Sequence, residues 1–499
     1  MFQKFRATAK NTILYSVSNF AGKLSGVILL PLYTSSLSPD LFGLFVLFEM
    51  VYQVIQSITG LGLRGALMRW YWDEAYEGQQ KQIFFTVLST YVLINVVAAF
   101  GLYAVFDVLA DIVFKANVES NLRIVFIVST FIRLMVEVLL LLMRIQHKAV
   151  KHTNYQLIQI FVFVGCVAVF LPLMRLEIAG IFWAFLMSYL LLFVLLIPFL
   201  KANIEWKYRK DLLKEMMAFG LPLALSNMVN LVLSISDKFI INFFTTLQNV
   251  GNYGLAFKIS NIVQLMVVNA FMNSYTHVYY KGMSDADNSR FFSRSLTYLV
   301  LFLSFVSLGL VLFIENVVNV LTFNNVNYHD SIPLIPVLTI GLIFGGIRSM
   351  FTLPLTKYKQ TKTISIISVI TGIINIGLNI LLVPLWGSMG AAISTLVVQF
   401  ISAFVFWFFA RRLESNLGRP IIILMIVALT IMIGGLGYVK VSELFIVEIG
   451  YKVLLLITWV ISLFLFRIFD ETELTRIKQG WKKWSQLSKI SDNLKSLKK

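Results

Sequence analysis

Residues 243–257 read "FFTTLQNVGNYGLAF" and residues 32–45 read "LYTSSLSPDLFGLF". Leu37 and Gly43 stand about 210 residues before Leu247 and Gly254. A second pair, "FLPLMRLEIAGIFWA" at 170–184 and "LVPLWGSMGAAISTL" at 382–396, matches at nearly the same offset. Two independent matches at one offset point to a duplicated unit. The nature of that unit follows from the hydropathy between the matches.

The chain has 499 residues, 58% of them apolar and 13% charged, against roughly 25% charged in ordinary soluble domains. Fourteen apolar runs of about 20 residues, the length that crosses a bilayer core, follow one another from 12–34 to 449–468. The expected fold is all-α and polytopic, with about fourteen transmembrane helices. The offset contains six runs, an even number, so both copies keep one orientation and relate by an axis along the membrane normal.

This places an N-lobe at 1–200, a cytoplasmic amphipathic connector at 201–216 and a C-lobe at 217–412. Two more helices follow at 413–468, then a basic amphipathic cytoplasmic tail at 469–499. In the tail, Ile477, Trp481, Trp484 and Leu487 recur at steps of three and four between lysines, as in helices that lie on a membrane surface. The first run is too long for a secretory signal core and lacks a small-residue cleavage site, so it is expected to remain in the protein. Cys166 is the only cysteine, which rules out an internal disulfide.

The net charge of +17 invites a nucleic-acid reading, but its distribution argues against one. With the N-terminus inside, cytoplasmic segments hold 32 of the 42 Lys and Arg residues, and the opposite side holds Lys115, Arg175, Lys440 and Lys452. That asymmetry is the positive-inside pattern. The basic excess sets topology and meets anionic lipid headgroups, with both termini cytoplasmic.

The motifs "SDKFIINFF" (236–244), "GNYGLAFKI" (251–259), "NTILYSVSNFAGKLSGVILLPLY" (11–33) and Gly387, Gly390, Ala391, Ala392, Thr395 occur in order. Over roughly residues 8–412 the chain resembles the polysaccharide-export branch of the multidrug/oligosaccharidyl-lipid/polysaccharide (MOP) exporter superfamily. The resemblance implies a MATE-like fold in a bacterial inner membrane. It also implies flipping of polyprenyl-diphosphate-linked oligosaccharides, as by O-antigen-unit flippases. The partners it implies are a lipid-linked oligosaccharide, membrane lipids and other polysaccharide-assembly proteins. The last two helices depart from the twelve-helix members, and an extra pair also occurs in lipid II flippases.

Six basic residues fall within apolar runs, Lys23, Arg123, Arg133, Lys238, Lys258 and Arg348, with three acids, Glu49, Glu137 and Asp237. Each costs about 2.5–3.5 kcal/mol or more facing lipid, so they are expected to pair, snorkel or line a water-filled cavity. The excess of three cations suits an anionic cargo.

Lys23 sits mid-run on a face with Asn19 and has no acid three or four residues away. Lys258 shares a polar stripe with Asn261 and Gln264, and Glu49 shares one with Gln53 and Gln56. Glu49 is read either as a bridge between lobes or as the carrier of a coupling ion. Arg133 and Glu137, four apart, either neutralise each other or serve the cavity, Arg133 with Lys23, Lys238, Lys258 and Arg348 as a cation for the cargo and Glu137 as a polar or coupling group. Arg348 divides between snorkelling and cavity lining. Asp237 and Lys238 lie on a helix with Asn230 and point about 100° apart, so each needs its own partner. Either Asp237 meets a cation on another helix while Lys238 reaches the cavity, or both charges lock helices together.

A drug/cation antiporter of the same superfamily calls for an acidic cavity, which the cationic balance disfavours. A membrane polymerase or ligase calls for a catalytic region outside the bilayer, and the outer loops are at most some fifteen residues long. His147, His152, His277 and His329 show no metal-ligand spacing, and no G-x-x-x-x-G-K-[ST] loop is present. The expectation is a non-enzymatic transporter without cofactor, with Na+ or H+ counterflow left open.

Overall fold

The computed structural model describes residues 22, 25–281, 288–414, 417–439, 441–442, 444–466, 468–469 and 475. Lys23, Asn19 and nearly all of the amphipathic tail lie outside the described residues. Among the described residues the chain is helical throughout, without strands.

The helices, in order, are α1 (Leu30–Ser36), α2 (Pro39–Gly60), α3 (Leu63–Trp70), α4 (Gln80–Ala104), α5 (Ser120–Ile145), α6 (Ala149–Phe170) and α7 (Glu177–Asn203). They continue as α8 (Lys210–Phe244), α9 (Leu247–Val263), α10 (Ala270–Lys281), α11 (Asn288–Leu312), α12 (Leu334–Lys357), α13 (Thr361–Leu413), α14 (Pro420–Leu436) and α15 (Phe445–Leu465). A π-helical turn, Gln264–Asn269, joins α9 to α10.

Among the described residues ten helices are long and apolar enough to cross a membrane, and α8, bent after Pro222, adds an eleventh when its two parts are taken as one span. Helix α13 runs 53 residues but holds two expected spans, because Gly387 interrupts it at φ 56° and ψ −136°. That backbone region is open to glycine and costly to other residues. Each expected span from the second to the fourteenth meets one of these helices. This is a multi-pass membrane protein.

Packing groups the described residues into two compact units. The first takes in residues up to 262 with 314–348 and 359–406; the second takes in 263–313, 349–358 and those from 407 on. In the second unit, Trp459 on α15 donates from Nε1 to Thr430 Oγ1 on α14 at 3.0 Å, and Lys357 meets Glu414 at 2.5 Å.

The first unit carries a phenylalanine core. Phe48 of α2 lies 4.2 Å from Phe114 and 4.8 Å from Phe126, ring centre to ring centre, and all three are fully buried. At one end of this unit the backbones of α2 and α9 nearly touch. Gly43 abuts Leu247 O and Gly251 N, Gly251 abuts Pro39 O, and neither has room for a Cβ. Lys115 Nζ donates to the carbonyls of Asn242 and Phe243 at 2.7 and 2.8 Å at the end of α8, and Tyr328 donates to Leu37 O at 3.0 Å.

Elsewhere in the unit, the stretch leading into α8 is pinned to the region around α4. Arg209 Nη1 donates to Gln79 Oε1 at 2.7 Å, and Gln82 donates to Glu205 at 2.8 Å. Arg209 also bonds Asp211 at 2.5 Å, which holds that carboxyl down to about 2.

Candidate functional site

A cavity of about 970 Å3 lies within the first unit. Each helix around it contributes side chains at steps of three and four, the spacing that puts residues on one helix face. From α2 come Phe45, Glu49 and Gln53; from α6, Gln156, Gln159 and Phe163; from α7, Phe185 and Tyr189. Helix α8 offers Ser234 and Lys238, and α9 offers Gly254, Phe257, Lys258 and Asn261. Tyr33 of α1 completes this part of the wall.

The charges at this wall are handled in different ways. Glu49 accepts from Arg133 Nη1 at 2.9 Å. Arg133 itself stands behind the wall, its guanidinium 3.6 Å from the Tyr52 ring centre and 4.1 Å from that of Phe185. Lys258 pairs with no carboxylate among the described residues. Its Nζ lies 4.9 Å from the ring centre of Phe42, 5.2 Å from Phe45 and 5.6 Å from Tyr33. Lys238 Nζ is 4.3 Å from the Phe257 ring centre and 3.4 Å from Asp237 Oδ1.

The neutral lining is rich in amides. Gln156 Oε1 is buried with no hydrogen-bond partner among the described residues, while Gln159 Nε2 reaches Ser188 Oγ at 3.3 Å. Two lysines that can donate and the amides of Gln53, Gln156, Gln159 and Asn261 form a surface for an anion with a polyhydroxylated neighbour.

Several sequence expectations change here. Arg133 and Glu137 do not pair with each other. Arg133 goes to Glu49, and Glu137 accepts from Arg64 Nη2 at 2.6 Å, Tyr52 OH at 2.7 Å and Gln56 Nε2 at 2.7 Å. A pair four apart on one helix is worth only about 0.2–0.5 kcal/mol, so it yields to partners on α2 and α3 that give one carboxylate three hydrogen bonds. Glu49 therefore bridges to Arg133 within residues 1–200.

Asp237 meets no cation on another helix among the described residues. The Tyr253 hydroxyl of α9 donates to its Oδ2 at 2.6 Å and lies 3.4 Å from Thr395 Oγ1. The long lysine stem also lets Lys238 fold back toward its neighbour, which the angular argument from backbone positions had discounted. Arg348 on α12 and Asn230 on α8 are not part of the lining, and each is engaged elsewhere.

Sequence reasoning missed Arg64, which falls in what reads as a loop after the second span. It also missed the rings Tyr33, Phe42 and Phe45, which look like any apolar residues of a span. Only the stretch "YTSSLSPDLFGLF", already singled out by the repeat, marks where those rings cluster.

Comparisons with known proteins bear on the family and the fold. Residues 36–322 match the family model described as polysaccharide biosynthesis protein. No curated protein matches the chain in sequence. Among solved structures, the lipid II flippase MurJ in an inward closed conformation superposes with a TM-score of 0.71 at 16% identity, covering 91% of this chain and 99% of that one. An inward-facing multidrug resistance MATE family transporter of the MOP superfamily gives 0.64 at 16% identity, over 80% of this chain and 95% of its own. An outward-facing MATE family transporter gives 0.56 at 16%, over 82% and 96%. At such identities the likeness is one of fold, and the chain shares the fold of these transporters. The family model spans more than half of the sequence, and the chain belongs to the polysaccharide biosynthesis protein family.

Proposed function

We propose that the protein is a flippase. It carries a polyprenyl-diphosphate-linked oligosaccharide, an O-antigen or related surface-polysaccharide unit, from the cytoplasmic to the outer leaflet of a bacterial inner membrane. Residues 1–200 and 217–412 act as two lobes that rock around a central site. The carrying observation is Lys258, a cavity-lining lysine without a carboxylate partner among the described residues, with Lys238 in the same wall. Their charge-assisted bonds grip the diphosphate, and Gln53, Gln156, Gln159 and Asn261 meet sugar hydroxyls and amides.

The membrane potential favours this direction. A cytoplasm-negative potential is worth about 2.3 kcal/mol per charge per 100 mV, so a cargo of charge near −2 is driven outward. The drug/cation antiporter reading needs an available carboxylate, and Glu49 is already bonded to Arg133.

The test is transport of a fluorescent polyprenyl-diphosphate sugar across proteoliposomes by the wild type and by Lys238→Ala/Lys258→Ala at equal incorporation. Loss of transport in the double variant is expected. Undiminished transport overturns the cationic grip. For topology, a cysteine at Ser485 in a Cys166→Ala background should escape impermeant reagents added outside intact cells; its labelling overturns a cytoplasmic C-terminus.

A further inference from the structure

We infer that Lys258 is the residue through which cargo loosens the α2–α9 crossing: an anion in the cavity draws its ammonium off the rings of Tyr33, Phe42 and Phe45. The inference rests on the anion-binding reading of the cavity. The three rings belong to α1 and α2, and the lysine belongs to α9. Tyr33 and Phe45 face the cavity beside Lys258, whereas Phe42 is fully buried behind them. The aromatic faces therefore do for Lys258 what a carboxylate does for Arg133, and they tie α9 to its neighbours as they do so. A cation over aromatic faces is held by a factor of about 3 to 30 in an equilibrium constant, the upper end where water is excluded.

The same two helices meet again seven residues earlier on α9. There Gly251 and Gly43 bring the backbones together with no side chain between them. Next to Gly251, Asn252 is 1% exposed, and neither its Nδ2 nor its Oδ1 has a partner among the described residues. An unsatisfied buried amide favours an arrangement in which water reaches it. The first turns of α9 thus contain a group that resists tight packing, and the lysine tie opposes it. Such a balance is what a two-state element requires. A ligand shifts an equilibrium only through unequal affinity for its two states. An anion that bonds Lys258 fully only off the rings binds the loosened state better, so cargo supplies the shift.

The experiment uses the full chain in nanodiscs, in a Cys166→Ala background, with spin labels at Asp40 and Gln248 beside the crossing. Inorganic pyrophosphate is the probe, its binding is measured by calorimetry, and the label separation by pulsed electron resonance. The wild type should show a short separation alone and a longer population with saturating pyrophosphate. Tyr33→Leu/Phe45→Leu keeps the lysine and removes two rings; it should show the longer population without pyrophosphate and bind the probe about tenfold more tightly. Asn252→Ala should hold the short separation to higher pyrophosphate concentrations.

Pyrophosphate binding that leaves the separation unmoved, or ring variants with wild-type separation and affinity, overturns the inference while the cavity reading stands. Absence of pyrophosphate binding, together with full transport by Lys258→Met, removes the anion reading and this inference with it.

Discussion

Helices α2 and α9 begin alike and diverge where the cavity starts. Ser38 caps α2 by accepting from the Leu41 N–H at 3.3 Å, and Thr246 accepts from the Asn249 N–H at 3.4 Å at the start of α9. Five residues after each hydroxyl comes a glycine, Gly43 and Gly251, and these two glycines pack against each other. Two turns further on, each helix turns a charge toward the cavity. Glu49 is bonded to Arg133 at 2.9 Å, while Lys258 leans on three rings. A buried charge locked to an opposite charge has little left for a ligand. One compensated only by aromatic faces is stable enough to stay in place and free enough to bind. The contrast separates scaffold from site.

The largest expected effect falls on the site. Lys258→Ala should lower cargo affinity about 10- to 100-fold, the worth of a hydrogen bond to a charged group, and should lower thermal stability less than Arg133→Met does, because no opposite charge is orphaned. Lys258→Arg should keep part of the activity, because charge persists although donor geometry changes. Proteoliposome transport set beside thermal melting of the purified variants measures both. A Lys258→Ala as destabilised as Arg133→Met would erase the distinction between the two helices.

Arg133 should behave in the opposite way. Arg133→Met leaves Glu49 half-buried without its partner and should cost about 3 kcal/mol of stability, visible as reduced membrane abundance. Adding Glu49→Gln should restore most of that loss, since the orphaned charge is gone. A double-mutant cycle on melting temperature gives the coupling, and a coupling near zero would show that the ion pair is not what holds α2 to α5.

Asp237→Asn comes next, at about 1 kcal/mol. The Tyr253 hydroxyl can still donate to the amide oxygen, but Lys238 loses its neighbouring charge. A modest fall in protein level with transport retained is the expected pattern. Normal abundance with no transport would move Asp237 from scaffold to site.

The smallest effect belongs to Asp211, an exposed carboxylate bonded to Arg209. Its carboxyl is held down to about 2, below the unfolded value near 3.9. The stability it adds is therefore complete above about pH 4 and is lost as pH falls through 2. Asp211→Asn should melt within scatter of the wild type at pH 7, because exposed pairs contribute little. A clear shift at pH 7 would mean that the connector contacts of Arg209 matter more than their exposure suggests.

Much of this protein is legible in its letters because lipid imposes a simple rule. A span must be apolar for about 20 residues and satisfy its own backbone, so the run of spans and their order can be read directly. Gly387 stood out as part of a motif, and its positive φ explains why glycine stands there. The lysines were recognisable as costly residues needing a purpose. Their partners were not. Arg133 and Glu137 sit at pairing distance on one helix, yet each bonds across to α2 or α3. Lys238 and Asp237 looked too divergent to meet and lie 3.4 Å apart.

The sequence by itself determined a membrane protein of many helices, its repeated segments and the presence of buried cations, because hydropathy and charge are properties of single residues summed along a chain. Only the tertiary structure decided which cations are spent on carboxylates and which rest on rings. That choice depends on which helix faces meet, and periodicity specifies a face without naming its neighbour. Tyr33, Phe42 and Phe45 are ordinary core aromatics until α9 brings Lys258 against them.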